Sequence, residues 1–178
     1  MDLSPTTRQA AAAAAPPDFL EFAAARCGPL YRTAYLLTGG DRHLAEDLVQ
    51  EALSRVFVRW RRVSRLENPA GYAQKVLFNT FVSHRRRRSS RESAAHELPE
   101  PAVLDADPAL RVTLLQALQT LSARDRAVVV LRYWEDRSVE ETAAILQLSS
   151  TAVRSRTHRA LHRMRALLGD TFAERAAG

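Results

Sequence analysis

The sequence predicts an all-α protein: two small helical bundles joined by a flexible acidic linker, the second bundle containing a helix-turn-helix. Three observations predict it. Apolar residues recur at helical spacing through most of the chain, with no strand-period alternation and no internal repeat. Residues 89–107 lose that period and collect Ser, Ala, Pro and the acids Glu92, Glu97, Glu100, Asp105 and Asp107. Ser138 to Leu168 then reads as two helices joined by a tight polar turn, the second carrying arginine without any acid.

Residues 1–17 are Ala, Thr, Ser and Pro without periodicity and are expected to be a disordered leader. The first bundle is expected over 18–88. Asp18 with Glu21 makes a capping signal, and Phe19, Phe22, Ala23, Leu30, Ala34 and Leu37 keep helical spacing past an expected kink at Gly28-Pro29. Gly39-Gly40 ends that helix. Asp41 caps the next, where Leu44, Leu48, Ala52, Val56 and Trp60 alternate with Ala45, Val49, Leu53 and Phe57 to give a broad buried face. After a basic turn from Arg61 to Glu67, Asn68 is a cap and Pro69 takes the first helical position, where a missing amide costs nothing. The third helix runs to Arg88 with an inner stripe of Ala73, Val76, Leu77, Thr80, Phe81 and His84, the histidine packed rather than a ligand.

The second bundle is expected over 108–168, followed by a frayed tail over 169–178. Pro108 restarts helix with Leu110, Leu114, Leu115 and Leu118 as its core stripe. Ser122 with Asp125 caps another helix through Val128, Leu131 and Trp134. Ser138 and Glu141 form a capping box, in which the hydroxyl takes an orphan amide and the carboxylate reaches back to the cap amide. Val139, Ala143 and Leu146 carry that helix to a break at Gln147–Ser149, and Ser149 or Ser150 offers the next N-cap. On the last helix Val153, Thr157, Ala160, Leu161, Met164 and Leu168 face inward.

Composition narrows the function classes. A net charge of +6 favours a polyanionic partner. Lys75 is the only lysine among 26 basic residues, so arginine enrichment by genome composition competes with selection for DNA contact. Cys27 stands alone, which removes an intramolecular disulfide and a cysteine-based zinc site and points to a reducing cytoplasm. The start is acidic at Asp2 and has only a six-alanine run before Pro16, unlike a signal peptide, and no stretch approaches the ~20 apolar residues of a membrane span. Neither a cofactor nor a metal is expected.

Three surfaces carry candidate chemistry. Ser150, Thr151, Ser155, His158, Arg159 and His162 lie outward on the last helix, flanked by Arg154, Arg156 and Arg163. Such positions near the start of a second helix meet base edges, and flanking arginines meet phosphates, because the planar guanidinium grips guanine O6 and N7 or two phosphate oxygens. The third helix leaves Tyr72, Lys75, Asn79, Ser83 and Arg86 along an outer stripe, a set suited to stacking on and bonding to exposed bases, with Arg85 to Arg88 as a phosphate-binding end. On the second helix Asp47, Gln50 and Glu51 form a polar patch whose like charges repel, which suits a basic partner, while Arg55 offsetting Glu51 on a solvated face is the plainer account.

The blocks DRHLAEDLVQEALSRVFVRW, NPAGYAQKVLFNTFVSHRRRR and LSARDRAVVVLRYWEDRSVEETAAILQLSSTAVRSRTHRALHRMR, in this order across an acidic linker, together resemble an extracytoplasmic-function sigma factor of the sigma-70 family, actinobacterial type. The resemblance covers Asp18 to Leu168 and implies a first bundle that holds the clamp helices of core RNA polymerase and opens the −10 element, with a second that binds the β flap and reads the −35 element. It makes Asp47, Gln50 and Glu51 the docking patch, and it makes the outer stripe of the third helix the −10 face. The loop Arg61 to Leu66, with Arg61, Arg62 and Arg65, resembles the one that captures a flipped base. It casts Arg154, Ser155, His158 and Arg159 as −35 readers, the linker as a segment threaded into the polymerase cleft, and an anti-sigma protein or the level of expression as the control. Two departures affect base contacts: Gln147 stands where the family commonly has glycine, and Thr151-Ala152 stands where Gly-Thr is common.

Two rivals remain open on the residues. A stand-alone helix-turn-helix regulator shares the final motif but would dimerise on a palindrome and leave the acidic patch idle. A metalloenzyme would use His43, Glu46, Asp47 and Glu51, yet one helix supplies every ligand and the chain has no nucleophile elbow or phosphate loop.

Overall fold

The computed structural model describes residues 17–88 and 108–176, with side chains over 18–84 and 108–169. Every element among them is helical: α1 (Pro17–Thr38), α2 (Arg42–Val58), α3 (Trp60–Val63), α4 (Pro69–Arg88), α5 (Pro108–Gln119), α6 (Ala123–Val129), a π-helical turn (Val130–Trp134), α7 (Val139–Leu146) and α8 (Ser150–Ala176). The expected leader and linker fall almost wholly outside the described residues, and α1 takes in Pro17.

Local signals fix most helix starts. Asp41 accepts from the Leu44 amide at 3.0 Å and opens α2. Asn68 accepts from the Gly71 amide at 2.8 Å, with Pro69 at the first helical position of α4. Ser122 accepts from the Asp125 amide at 3.2 Å and opens α6. The start of α1 differs from expectation: helix already begins at Pro17, so Asp18 sits in the first turn and accepts from the Trp60 indole at 2.8 Å. Phe19, Phe22 and Phe57 surround that indole, which therefore has both an apolar shell and a polar partner. Helix α1 also continues through Pro29 as one element.

In the first bundle α1, α2 and α4 pack pairwise around Leu37, Leu48, Val56, Leu77 and Phe81. Phe78 is as fully buried as Leu77, a core position that the inner stripe of α4 lacked. Tyr35 is buried beneath the end of α1, and that burial pushes its phenol above the ordinary value, with the Arg42 charge opposing. In the second bundle α8 packs on α5, α6 and α7 through Val153, Ala160 and Met164.

The two bundles are packed on each other. Helix α4 contacts α6 and α7, α1 contacts α5, α6 and the π-helical turn, and one continuous buried cluster runs from Phe19 to Met164.

Two further boundaries depart from expectation. Helix α6 ends at Val129 and passes into the π-helical turn, whose wider spacing turns Tyr133 and Trp134 outward, 57% and 45% exposed, rather than onto the core stripe. Helix α8 runs on to Ala176, beyond the boundary at 168. The expected frayed tail is therefore helical over residues 169–176, and 177–178 lie outside the described residues.

Candidate nucleic-acid interface

The helix-turn-helix is built from its caps. The Ser138 amide donates to Glu141 at 2.7 Å and the Glu141 amide donates to Ser138 Oγ at 3.0 Å, so both halves of the capping box are present. The Ser138 backbone bond, joined by the Ser138 hydroxyl and Arg137, holds the Glu141 carboxyl below its usual range. Helix α7 ends at Gln147, whose φ of 54° lies in the left-handed region that glycine adopts without a Cβ penalty. This is the position at which the related pattern carries glycine, and here a glutamine accepts that backbone. Ser149 accepts from the Ala152 amide at 3.1 Å, which makes Ser149 the cap of α8. Val128, Ala143 and Val153 close a small core of their own, with Val139, Leu146 and Leu148 packed around it.

That geometry leaves one face of α8 to solvent. Thr151, Arg154, Ser155, His158, Arg159, His162 and Arg163 are exposed, and Ser150 is half-buried at the start. Arg154 reaches Glu140 on α7 at 3.3 Å, an exposed pair that contributes little. Arg163 touches the Thr120 carbonyl at 3.4 Å. Arg156, expected on the DNA-facing flank with Arg154 and Arg163, is instead half-buried and pairs with Asp125 at 2.7 Å, fastening α8 to the start of α6. Nothing in the sequence pattern links positions 125 and 156, so their pairing appears only once the helices cross.

In the first bundle Lys75 is exposed on α4 and Tyr72, Asn79 and Ser83 are half-buried beside it. Arg85 and Arg86 lie on the last turns of α4, and their side chains are outside those described. Arg61, Arg62 and Arg65 are exposed around the short helix α3, which Trp60 and Val63 anchor by burial. On α2 Asp47 and Gln50 are exposed, while Glu51 is half-buried and paired with Arg55 at 2.5 Å. The plain account of Glu51 thus holds in part, whereas Asp47 remains on the open side of the helix. Among the described residues no three His, Cys, Asp or Glu side chains come together as a metal site. No described helix is long and apolar enough to cross a membrane.

Residues 26–91 match Sigma-70 region 2, and residues 117–166 match Sigma-70, region 4. The chain is 39% identical over 150 residues to the RNA polymerase sigma-E factor of Streptomyces coelicolor, covering 83% of this chain and 84% of that protein. It is 33% identical over 153 residues to the ECF RNA polymerase sigma factor SigL of Mycobacterium tuberculosis, covering 79% and 83% respectively. The fold also matches the sigma factor RpoE of Bartonella quintana, solved in complex with the anti-sigma factor NepR, with a TM-score of 0.67, 27% identity, and coverage of 86% of this chain and 98% of that one. A capped helix-turn-helix behind a region 2 bundle, together with relatives of this name matched over most of their length, places the chain in the sigma-70 family of RNA polymerase sigma factors, in its extracytoplasmic-function group.

Proposed function

We propose that this sigma factor divides its work among three faces. As a member of its family it binds core RNA polymerase and directs promoter recognition and transcription initiation, and different residues serve each of those steps. Asp47, Gln50 and Glu51 on α2 dock on the β′ clamp helices. Tyr72, Lys75, Asn79, Ser83, Arg85 and Arg86 on α4 meet the separated strands of the −10 element, and Arg61, Arg62 and Arg65 hold a flipped base beside them. The second bundle meets the β flap and reads the −35 element as duplex through Thr151, Ser155, His158, Arg159 and His162, with Ser150 at the helix start and Arg154 and Arg163 on phosphates. Arg156 is left out of that set because Asp125 holds it. The protein works in the cytoplasm on the polymerase and carries no catalytic group of its own.

The observation that carries this reading is the exposed face of α8 over residues 150–168, a stretch without an acid, behind a fully formed capping box. A stand-alone regulator is not favoured, since the region 2 match gives the first bundle a role that such a protein leaves empty.

The α4 assignment has its own test. Tyr72→Ala, Lys75→Ala and Asn79→Ala are expected to lower open-complex formation at least tenfold while closed-complex binding changes much less, because stacking is worth about 1–3 kcal/mol per base only once bases are exposed. Permanganate footprinting on duplex and on pre-melted templates reads this. Equal loss on both templates would assign the three side chains to folding or docking instead.

A further inference from the structure

The turn between α7 and α8 carries one side chain that the fold does not use. Leu148 packs against the small core of Val128, Ala143 and Val153, and the Ser149 hydroxyl caps α8 by accepting from the Ala152 amide at 3.1 Å. Gln147 does neither. Its backbone amide closes the end of α7 on the Ala143 carbonyl, which the Leu148 amide also reaches at 2.9 Å, so the main chain of the turn is held from both sides. The Gln147 side chain is exposed and bonds to no other described residue.

That side chain sits on a strained backbone. The φ of 54° at Gln147 lies in the left-handed region, where a Cβ crowds the neighbouring carbonyl oxygen. Glycine escapes the crowding, and asparagine and aspartate offset it by bonding locally through a short polar arm. Glutamine has neither remedy. Glycine would close the same turn through the same two backbone bonds without strain. A residue that costs stability and serves nothing inside the fold marks a function outside it.

The place of the turn indicates what lies outside. In a helix-turn-helix the second helix enters the major groove with its first residues on base edges, while the first helix crosses the sugar-phosphate backbone. The turn joining them therefore stands over the wall of the groove, which phosphates line. Thr151, the first exposed residue of α8, follows four positions after Gln147. A primary amide brings two N–H donors to such a wall and no charge.

We propose that the Gln147 side-chain amide donates to a phosphate oxygen at the edge of the −35 element and anchors the entry of α8 into the groove, a contact that rests on the sigma-factor reading above. A phosphate contact carries no sequence information, so it strengthens binding to every duplex alike. An uncharged donor neutralises no phosphate and releases no counterion, so it leaves the salt dependence unchanged. Gln147 thereby differs in kind from an arginine on a base and from an arginine on a phosphate.

Gln147→Gly and Gln147→Lys are compared with the parent, as the full chain in a thermal melt and as holoenzyme with purified core polymerase on promoter duplex. The duplex is the strongest promoter recovered by runoff transcription with the parent, used with its −35 element intact and scrambled across a salt series. Gln147→Gly is expected to raise Tm by about 2–4 °C as the left-handed strain is removed. It is expected at the same time to weaken holoenzyme binding about tenfold on both duplexes, with the salt slope unchanged. Stability and affinity then move in opposite directions, which a residue serving only the turn cannot produce. Gln147→Lys keeps the strain and puts a cation in place of the amide, so it is expected to hold promoter affinity and steepen the salt slope by about one unit. A glycine variant that binds both duplexes as tightly as the parent overturns the contact, as does a loss confined to the intact −35 element, which would mean a base. A glycine variant that melts below the parent also overturns it, because glutamine would then serve the turn itself. These three results leave the sigma-factor reading standing, whereas a parent that recovers no promoter removes that reading and the contact together.

Discussion

Reversing both acids of the α2 patch, Asp47→Arg with Glu51→Arg, is expected to weaken binding to core RNA polymerase about a hundredfold or more. Asp47 stands exposed on the side of α2 away from Leu48, Val49 and Ala52, and Glu51 is tied only to Arg55, one turn along the same helix. An exposed pair of that kind contributes little to stability, so the substitutions leave the bundle folded. Against a basic partner they replace attraction with like-charge contact, which costs several kcal/mol. Fluorescence anisotropy of the labelled chain against purified core reads the loss, with circular dichroism as the check on folding. Core affinity that survives the double reversal would remove the docking role from α2.

The second large effect is a contrast within α8. Arg159 is exposed at mid-helix, and Arg163 lies one turn further on, near the Thr120 carbonyl at 3.4 Å. If Arg159 grips a base, Arg159→Ala costs about 1–3 kcal/mol on the preferred −35 sequence and narrows the gap between right and wrong sequences. Arg163→Ala lowers binding to all sequences alike and reduces the salt slope by about one unit, because one fewer counterion is released. The continuous core makes the intact protein the proper subject, so both variants are measured as holoenzyme on promoters with matched and scrambled −35 elements across a salt series. Equal loss on both promoters for Arg159→Ala would deny it a base.

Much of this architecture is legible in the sequence because it is local. The capping box at Ser138, the caps at Asp41 and Ser122, and the Asn68-Pro69 start each rest on residues three apart, and the structure forms them as the spacing requires. The inward stripe of α8 follows from helical period alone. Partnerships between distant residues are what stayed hidden. Arg126 sits in a polar run, Arg-Asp-Arg, that reads as surface, and its carbonyl partner at Leu37 is eighty-nine positions away. Gly39-Gly40 announces the end of α1 but not the helix that docks against it. Arg156 carries the same residue type as its neighbours and was grouped with them, whereas the crossing of α6 and α8 hands it to Asp125. The π-helical turn has no signature in the spacing, and it is what rotates Trp134 away from the core and delivers Glu135 to the first bundle.

Whether this protein directs initiation is read by runoff transcription from a library of genomic promoters, with purified core RNA polymerase and with or without the protein. The account predicts that core alone yields no specific product, and that adding the protein yields defined transcripts whose start sites share one −35 and one −10 element. Specific promoters bound tightly by the protein without polymerase, and no new transcripts when both are present, would contradict it.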